Sequence, residues 1–289
     1  MATAKSKAKT VRRARSAEGG AKPRRAGNVD HRLFVNSVER VFQVLQAFVG
    51  GGSHLTIAEI AENTGLGRSA VQRFVYTLEQ IGYLRRGPGD RQYSLSPRML
   101  EFAAYYFEND SIILNAPYCF EEARDKSGET ITLSELDGID IVNVVRVLGR
   151  DRRDSQYVVG RRYPAYCSAA GRAILAYLPD EAARSILDRS SRKKLTRFTL
   201  TEPEQIMAKL ATVRAQGYCI ADQETYLGTM SIAVPVLDRT RMPLGSVNVF
   251  APTERWSTTK ARDVLLPLLQ KSAQMLSASL GTPHVRSRP

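Results

Sequence analysis

Between residues 36 and 95 the apolar positions recur every three or four residues, then give way to alternation. Val38, Val41, Phe42, Leu45 and Phe48 follow the helical period and predict a helix that opens at Asn36 or Ser37 and stops at the glycines 50–52. Thr56 stands at the head of a second helix, and Glu59 three residues on completes a capping box. Ile57, Ile60 and Ala61 form its inner face, and Gly65 supplies the positive φ that a sharp turn requires. A third helix is predicted from about Arg68 to Gln80, with Val71, Phe74, Val75, Leu78 and Ile81 on one face. Ser69, Gln72, Arg73 and Tyr76 fall on the other face, with Arg68 at its N-terminal edge. Residues 83–86 and 92–95 flank G-P-G-D, so a hairpin follows. Two short helices around a glycine turn and a basic hairpin make a winged helix-turn-helix.

Arg68, Ser69, Gln72, Arg73 and Tyr76 carry the donors and acceptors that base edges require, although a solvated surface helix looks the same in isolation. The hairpin tips that balance, because Arg85, Arg86 and Arg91 put positive charge where a wing meets phosphate. These eight residues are the expected DNA-binding set.

Beyond the wing, Ser96-Pro97 reads as an N-cap followed by Pro at the first helical position, opening a linker helix over 97–109. Its apolar content suggests that it packs against something, a second subunit included. A helix is predicted over 112–126, then strands at 130–136 and 139–147 joined by the turn Asp137-Gly138. An Arg-rich loop spans about 148–162. Helices follow at 167–177, 179–187 and 203–216, strands at 218–222, 231–236 and 244–250, and a closing helix at 257–280. Strands flanked by grouped helices predict an α+β domain with a mainly antiparallel sheet. The expected organisation is a disordered basic tail (1–34), the winged helix-turn-helix (35–96), the linker helix (97–109), an effector domain (110–281) and a short tail (282–289).

The hydrophobic content of 43% is ample for packed cores. No apolar run approaches a membrane span and the N-terminus lacks a signal-like apolar segment, so no membrane role is expected and the location is cytoplasmic, with the nucleoid. Cys119, Cys167 and Cys219 are odd in number and widely spaced, which suggests reduced thiols without a zinc site. The net charge of +13 is uneven: residues 1–34 hold ten Lys/Arg against Glu18 and Asp30, a net +8, leaving +5 for the other 255 residues. Such a tail touches DNA phosphates non-specifically or is an idle, solubilising extension.

Catalysis finds little support. No His lies between residues 55 and 283, and neither G-x-S-x-G nor a P-loop is present. Cys167 beside Ser168 has no visible base, and a small helix-start pair explains it better. No metal and no cofactor is expected. A binding site is easier to build: Ser168, Ala169, Ala170 and Gly171 leave room for a ligand carboxylate at a helix start, unless they serve tight helix–sheet packing. Arg146 is a second candidate carboxylate partner, or a salt-bridged surface residue.

Several segments resemble one family. N-S-V-E-R-V at 36–41, L-T-I-A-E-I-A-E-N-T-G-L at 55–66, R-S-A-V-Q-R at 68–73, Y-P-A-Y-C-S-A-A-G-R-A-I-L-A-Y-L-P at 163–179, R-A-Q-G-Y-C-I-A-D-Q-E at 214–224 and S-I-A-V-P-V-L-D at 231–238 are similar to IclR-family transcriptional regulators. The resemblance covers about residues 35–280. Its R-A-Q-G-Y, D-Q-E and S-I-A-V-P wording is most similar to the aromatic-acid catabolism branch, the protocatechuate and 4-hydroxybenzoate type. It implies a winged helix, a linker helix and a GAF-like effector domain in dimers or tetramers on palindromic promoter DNA, with RNA polymerase as a further partner class. It also implies effector contacts at Ala169, Ala170, Ala221 or Asp222, Ser231, Asn248 and Phe250, beside Ser168 from the helix-start argument. The implied effector is a small, aromatic carboxylate; a non-aromatic oxo-acid is the alternative. Two positions depart: Gly67 stands where many members have Pro, and Phe250 where some have a small Ser. The competing classes are a DNA-targeted enzyme and a constitutive DNA-binding protein whose second domain only oligomerises.

Overall fold

The computed structural model describes residues 30–49, 52–89, 91–150 and 158–279. The expected basic tail up to residue 29, the middle of the Arg-rich loop and the C-terminal tail lie outside the described residues. The chain divides into two compact units with the boundary between Ala103 and Ala104.

The first unit holds α1 (Asn36–Gln46), β1 (Leu55–Thr56), α2 (Ile57–Thr64), α3 (Arg68–Gln80), β2 (Leu84–Arg86) and β3 (Gln92–Leu95). The capping box forms: Thr56 N donates to Glu59 Oε2 at 2.8 Å, and Glu59 N donates to Thr56 Oγ1 at 3.2 Å. Gly65 closes α2 in the left-handed region, φ 70°. Val44, Ile60, Val71 and Val75 are fully buried at the centre of this core. The pair Leu55–Thr56 is a short strand that periodicity did not predict; it adds to the hairpin in the antiparallel order β1-β3-β2. The expected linker helix is a 3₁₀ turn, Pro97–Met99, capped by Ser96 and running into α4 (Leu100–Glu108), which has no buried residue.

The second unit is built on one six-stranded antiparallel sheet. Its strands are β4 (Ile131–Asp137), β5 (Asp140–Val147), β6 (Arg162–Pro164), β7 (Cys219–Asp222), β8 (Thr229–Leu237) and β9 (Pro243–Pro252), in the order β6-β5-β4-β9-β8-β7. Strand β6 was expected to be loop; three residues are too few to show alternation. One sheet face packs against α5 (Ser111–Ser127) and α10 (Leu266–Ala278), through Phe120, Ile131, Leu133, Val247, Val249 and their neighbours. The other face carries α6 (Ala169–Leu175), backed by α7 (Asp180–Arg189) and α8 (Pro203–Gln216). Helix α6 is shorter than its apolar pattern suggests, and all seven of its residues are buried.

The closing helix is broken into α9 (Thr258–Lys260), a π-helical turn (Ala261–Leu265) and α10. Pro267 explains the break, because it has no N–H to offer Asp263 O and its ring crowds that carbonyl. Among the described residues no helix is long and apolar enough to cross a membrane, and no group of three or more His, Cys, Asp or Glu is placed to hold a metal.

Candidate functional site

Helix α3 buries Val71, Val75 and Leu78 and leaves the opposite face in solvent. Arg68, Ser69, Gln72, Arg73 and Tyr76 are all exposed, Tyr76 to 62%. The side chains of Gln72 and Arg73 make no hydrogen bond among the described residues. Arg85, Arg86 and Arg91 are exposed on the hairpin. They are not equivalent. Arg86 Nε reaches back to Glu79 Oε1 of α3 at 2.9 Å and its guanidinium lies over the Tyr93 ring. It therefore braces the wing against the helix. Arg85 Nε donates to Ser94 Oγ across the β2–β3 pair at 3.3 Å.

In the second unit the α6-facing side of the sheet is concave. Tyr163 on the edge strand β6 brings its ring within 5.5 Å of Phe250 on β9, although β5 and β4 lie between the two strands. Only a strongly curled sheet permits that approach. Tyr226 meets Tyr163 edge-on at 6.4 Å and extends the aromatic wall. Residues directly opposite in an antiparallel pair share a face, so the register lists what stands on this surface. Phe250, Ser231 and Ala221 form one row; Arg146, Thr132, Asn248 and Ala233 form the next; Asn143, Ser134 and Ser246 form a third.

The expected effector residues divide on this map. Ser231, Asn248 and Phe250 come together, with Ala169 and Ala170 on the helix that packs over β8 and β9. Asp222 does not join them. It pairs with Met230, whose side chain belongs to the opposite core, so Ala221 is the residue that faces Ser231. Strand parity decides the point, since one position along a strand reverses the face. Asp222 instead lines a cleft of about 400 Å³ with Lys209, Tyr218, Glu224 and Arg262. Ser168 is the N-cap of α6: its Oγ accepts from Gly171 N at 3.1 Å, so the helix start satisfies one of its own donors. Gly171 is pressed against the chain as well, because a Cβ there would stand 2.3 Å from Ala165 O.

Three features were missed. The first is Arg172, fully buried on α6, whose guanidinium grips Glu224 through two bonds of 2.5 and 2.7 Å and donates from Nε to Tyr166 O at 2.8 Å. Burial works against its charge, but the bond to Glu224 and its attraction outweigh that, and the pKa is raised. The second is the burial of Cys167 and Cys219: desolvation pushes their thiols up to about 12 and about 11, in spite of the Arg172 charge nearby. The third is the polar row itself. Ser134 Oγ lies 2.8 Å from Asn143 Oδ1 and 2.9 Å from Asn248 Oδ1. A signal did exist in the sequence, for each Asn interrupts a β-branched run, I-V-N-V-V at 141–145 and S-V-N-V-F at 246–250.

Comparison with known proteins agrees with this geometry. The IclR helix-turn-helix domain matches residues 37–88, and the bacterial transcriptional regulator IclR C-terminal domain matches residues 104–278. The Pca regulon regulatory protein of Pseudomonas putida is 35% identical over 248 residues, 86% of this chain and 84% of that protein. A putative transcriptional regulator from Rhodococcus sp. RHA1 superposes with a TM-score of 0.73 at 31% identity, covering 86% of this chain and 98% of that one. The inducer-binding domain of the Acinetobacter PobR transcription factor, a double mutant in complex with 3-hydroxybenzoic acid, superposes with a TM-score of 0.53 at 29% identity over 56% of this chain and 95% of that one. With its winged helix and curled antiparallel sheet, the chain belongs to the IclR family of transcriptional regulators, with a DNA-binding helix-turn-helix and an effector-binding C-terminal domain.

Proposed function

We propose that the effector is a small aromatic carboxylate, bound on the concave face of the C-terminal sheet, and that the protein controls genes for aromatic carboxylate catabolism. One observation carries this reading: the aromatic wall of Tyr163, Phe250 and Tyr226 adjoins a polar row on a single concave surface. The ring lies against Phe250, Ser231 and Asn248 orient polar groups, and Ser168, Ala169 and Ala170 form the close wall. Arg146, which shares its row with Thr132 and Asn248, takes the carboxylate. Asp222 stays outside. Similarity to an inducer domain holding 3-hydroxybenzoic acid supports an aromatic acid.

On the DNA side, α3 enters a major groove. Arg68, Ser69, Gln72, Arg73 and Tyr76 face base edges, Arg85 and Arg91 meet phosphates, and Arg86 fixes the wing angle through Glu79. The exposed Leu100, Phe102, Tyr105 and Tyr106 of α4 suit pairing of two chains on a palindrome.

The test is a thermal-shift screen of the full chain against benzoate, 3- and 4-hydroxybenzoate and pyruvate, followed by operator binding with each hit. A ligand at 100 times its Kd stabilises by about 2.7 kcal/mol, which is an easily read shift. Ser231→Val should remove the ligand's effect on operator binding while the ligand-free protein binds as before. If pyruvate alone shifts the protein, the aromatic assignment falls.

A further inference from the structure

Strand β7 is one edge of the six-stranded sheet. Gln223 N donates to Thr229 O at 3.0 Å, and that bond sets the phase of the ladder with β8. Cys219 and Ala221 turn their N–H and C=O groups towards β8, while Ile220 and Asp222 turn theirs outward. Among the described residues no strand lies beyond them. The cleft of about 400 Å³ beside Asp222 follows this edge, along Tyr218, Ile220 and Asp222. It is distinct from the effector face, which β7 meets through Ala221.

The walls of the cleft are apolar on one side and fixed in place. Phe198 and Leu200 line it from the loop that precedes α8, and Phe198 is 41% exposed. Leu200 N donates to Glu224 Oε2 at 3.0 Å, Thr196 Oγ1 to Gln223 O at 2.7 Å, and Tyr166 Oη to Lys193 O. A slot that is already ordered costs little to fill.

Charge selects what fills it. Lys209 and Arg262 line the cleft, and Arg197 stands at its mouth with its guanidinium over the Phe198 ring at 4.8 Å. Lys193 and Lys194 are exposed on the same loop, and none of these cations has an ion pair among the described residues. Asp222 opposes them; Glu224 is already engaged by Arg172. The chain's own tails do not suit such a slot. Residues 1–29 carry nine Lys/Arg against Glu18, and residues 280–289 carry Arg286 and Arg288 without an acid. A second copy meeting edge to edge would set the same cations against each other.

We propose that β7 is a docking edge for an acidic, extended segment of a partner protein. The segment pairs with the outward N–H and C=O groups of Ile220 and Asp222 and adds a strand to the sheet. It lays an apolar side chain on Phe198 and Leu200 and sets its carboxylates against Arg197, Lys209 and Arg262. Main-chain bonds supply the affinity, and the cations choose the partner.

The experiment is fluorescence anisotropy on the full chain with a capped, labelled heptapeptide of alternating Glu and Val. Two peptides serve as controls: one of alternating Lys and Val, and the Glu–Val peptide N-methylated throughout, which keeps its charge but loses its main-chain donors. The Glu–Val peptide should bind about tenfold or more tighter than either control. Lys209→Glu/Arg262→Glu should weaken it about tenfold or more, with operator binding and the melting temperature scarcely moved. No Glu–Val binding at about 1 mM, or equal binding of either control, overturns the proposal. These peptide comparisons need no variant and decide the matter by themselves. If the double replacement instead leaves peptide binding unaltered and flattens the salt dependence on random DNA, the cations serve phosphate and the proposal falls. If it leaves peptide binding unaltered and the protein self-associates in sedimentation, the cations only guard a bare edge, and the proposal falls as well.

Discussion

Arg172 and Glu224 are 52 residues apart in the chain and meet as a buried, two-bond ion pair. Each is held from a second side. Arg172 Nε donates to Tyr166 O, and Glu224 Oε2 accepts from Leu200 N at 3.0 Å. The backbone around Glu224 is fastened too, with Thr199 Oγ1 donating to Glu224 O and Thr196 Oγ1 to Gln223 O, both at 2.7 Å. Gln223 itself sits at φ 56°, a conformation that these bonds hold in place. The pair therefore ties α6, one wall of the effector face, to the turn that joins β7 and β8. Removing one partner leaves an uncompensated buried charge. Glu224→Gln and Arg172→Met should each destabilise the second unit by about 3–5 kcal/mol, and the double replacement Arg172→Met/Glu224→Met should recover a large part of that. Urea unfolding of the three variants checks this. Single variants within about 1 kcal/mol of wild type would show that the pair contributes little.

The recognition helix gives a sharper distinction between kinds of contact. Arg73 is exposed and its side chain has no hydrogen bond among the described residues, whereas Arg86 is engaged with Glu79. A bidentate base contact is worth about 1–3 kcal/mol of discrimination. Arg73→Ala should then weaken operator binding about tenfold or more and leave binding to random DNA nearly intact. Fluorescence anisotropy with both duplexes at one salt concentration measures the two terms. Equal losses would make Arg73 a phosphate contact.

Gly171 is small for a reason other than ligand access. Its Cα meets the backbone of Ala165, and a methyl group there would overlap Ala165 O and Cα at 2.3 and 2.4 Å. Backbone cannot swing aside as a side chain can, so Gly171→Ala should cost about 1–3 kcal/mol, in the range of overpacked cores. By contrast, Gly67 has φ −63° and open space around it, so nothing in its conformation requires glycine. Gly67→Pro should be tolerated or stabilise by up to about 1 kcal/mol. Thermal melts should show a fall for Gly171→Ala and a level or higher melting temperature for Gly67→Pro, and a parallel fall would refute the contrast.

Local rules were legible where the deciding residues are neighbours. The Thr56–Glu59 box, the left-handed Gly65 and the Ser96 cap each involve residues within three positions, and each forms as expected, while the hairpin turn expected at Asp137-Gly138 lies one position later, at Gly138-Ile139, because Asp137 pairs with Asp140. The winged helix and the antiparallel sheet follow from period and turn chemistry alone. What escaped depends on partners far along the chain. Arg172 reads as one polar residue in a helix until Glu224, 52 positions later, accounts for its burial. Asp222 and Ala221 are indistinguishable until the register against Ser231 assigns their faces. Asn143 needs a bulge in its own strand, at Val144, to stand opposite Ser134 on the face it occupies.

The buried thiols give the protein an alkaline limit. Desolvation raises Cys167 to about 12 and Cys219 to about 11, while the ordinary value is 9.0. The folded state thus keeps these protons where the unfolded chain has lost them. Their contribution is fully present below pH 9 and is lost as pH rises through the window between 9 and about 11 to 12. Within it each thiol lowers stability by at most about 1.4 kcal/mol per pH unit. Urea unfolding at pH 8 and pH 10.5 should show a smaller drop in Cys219→Ala than in the wild type. Identical drops would mean that the Cys219 proton is not linked to folding.

The basic tail makes a prediction that only DNA can answer. Residues 1–29 carry nine Lys/Arg against Glu18, just ahead of the helix-turn-helix. Charges that meet phosphate release condensed counterions, and log K falls with log salt by about 0.9 for each phosphate neutralised. If the tail reaches the duplex, deleting residues 1–29 should flatten that slope by several units and weaken binding mainly at low salt. The ratio of operator to random-sequence affinity should scarcely change, because phosphates carry no sequence. Titrations of both chains on both duplexes between 50 and 200 mM salt separate the terms, on the scale used for such slopes. An unchanged slope would identify the tail as a solubilising extension and leave recognition to α3 and the wing. A change in the ratio would instead mean that the tail reads bases, as Arg-bearing arms do when they enter a minor groove.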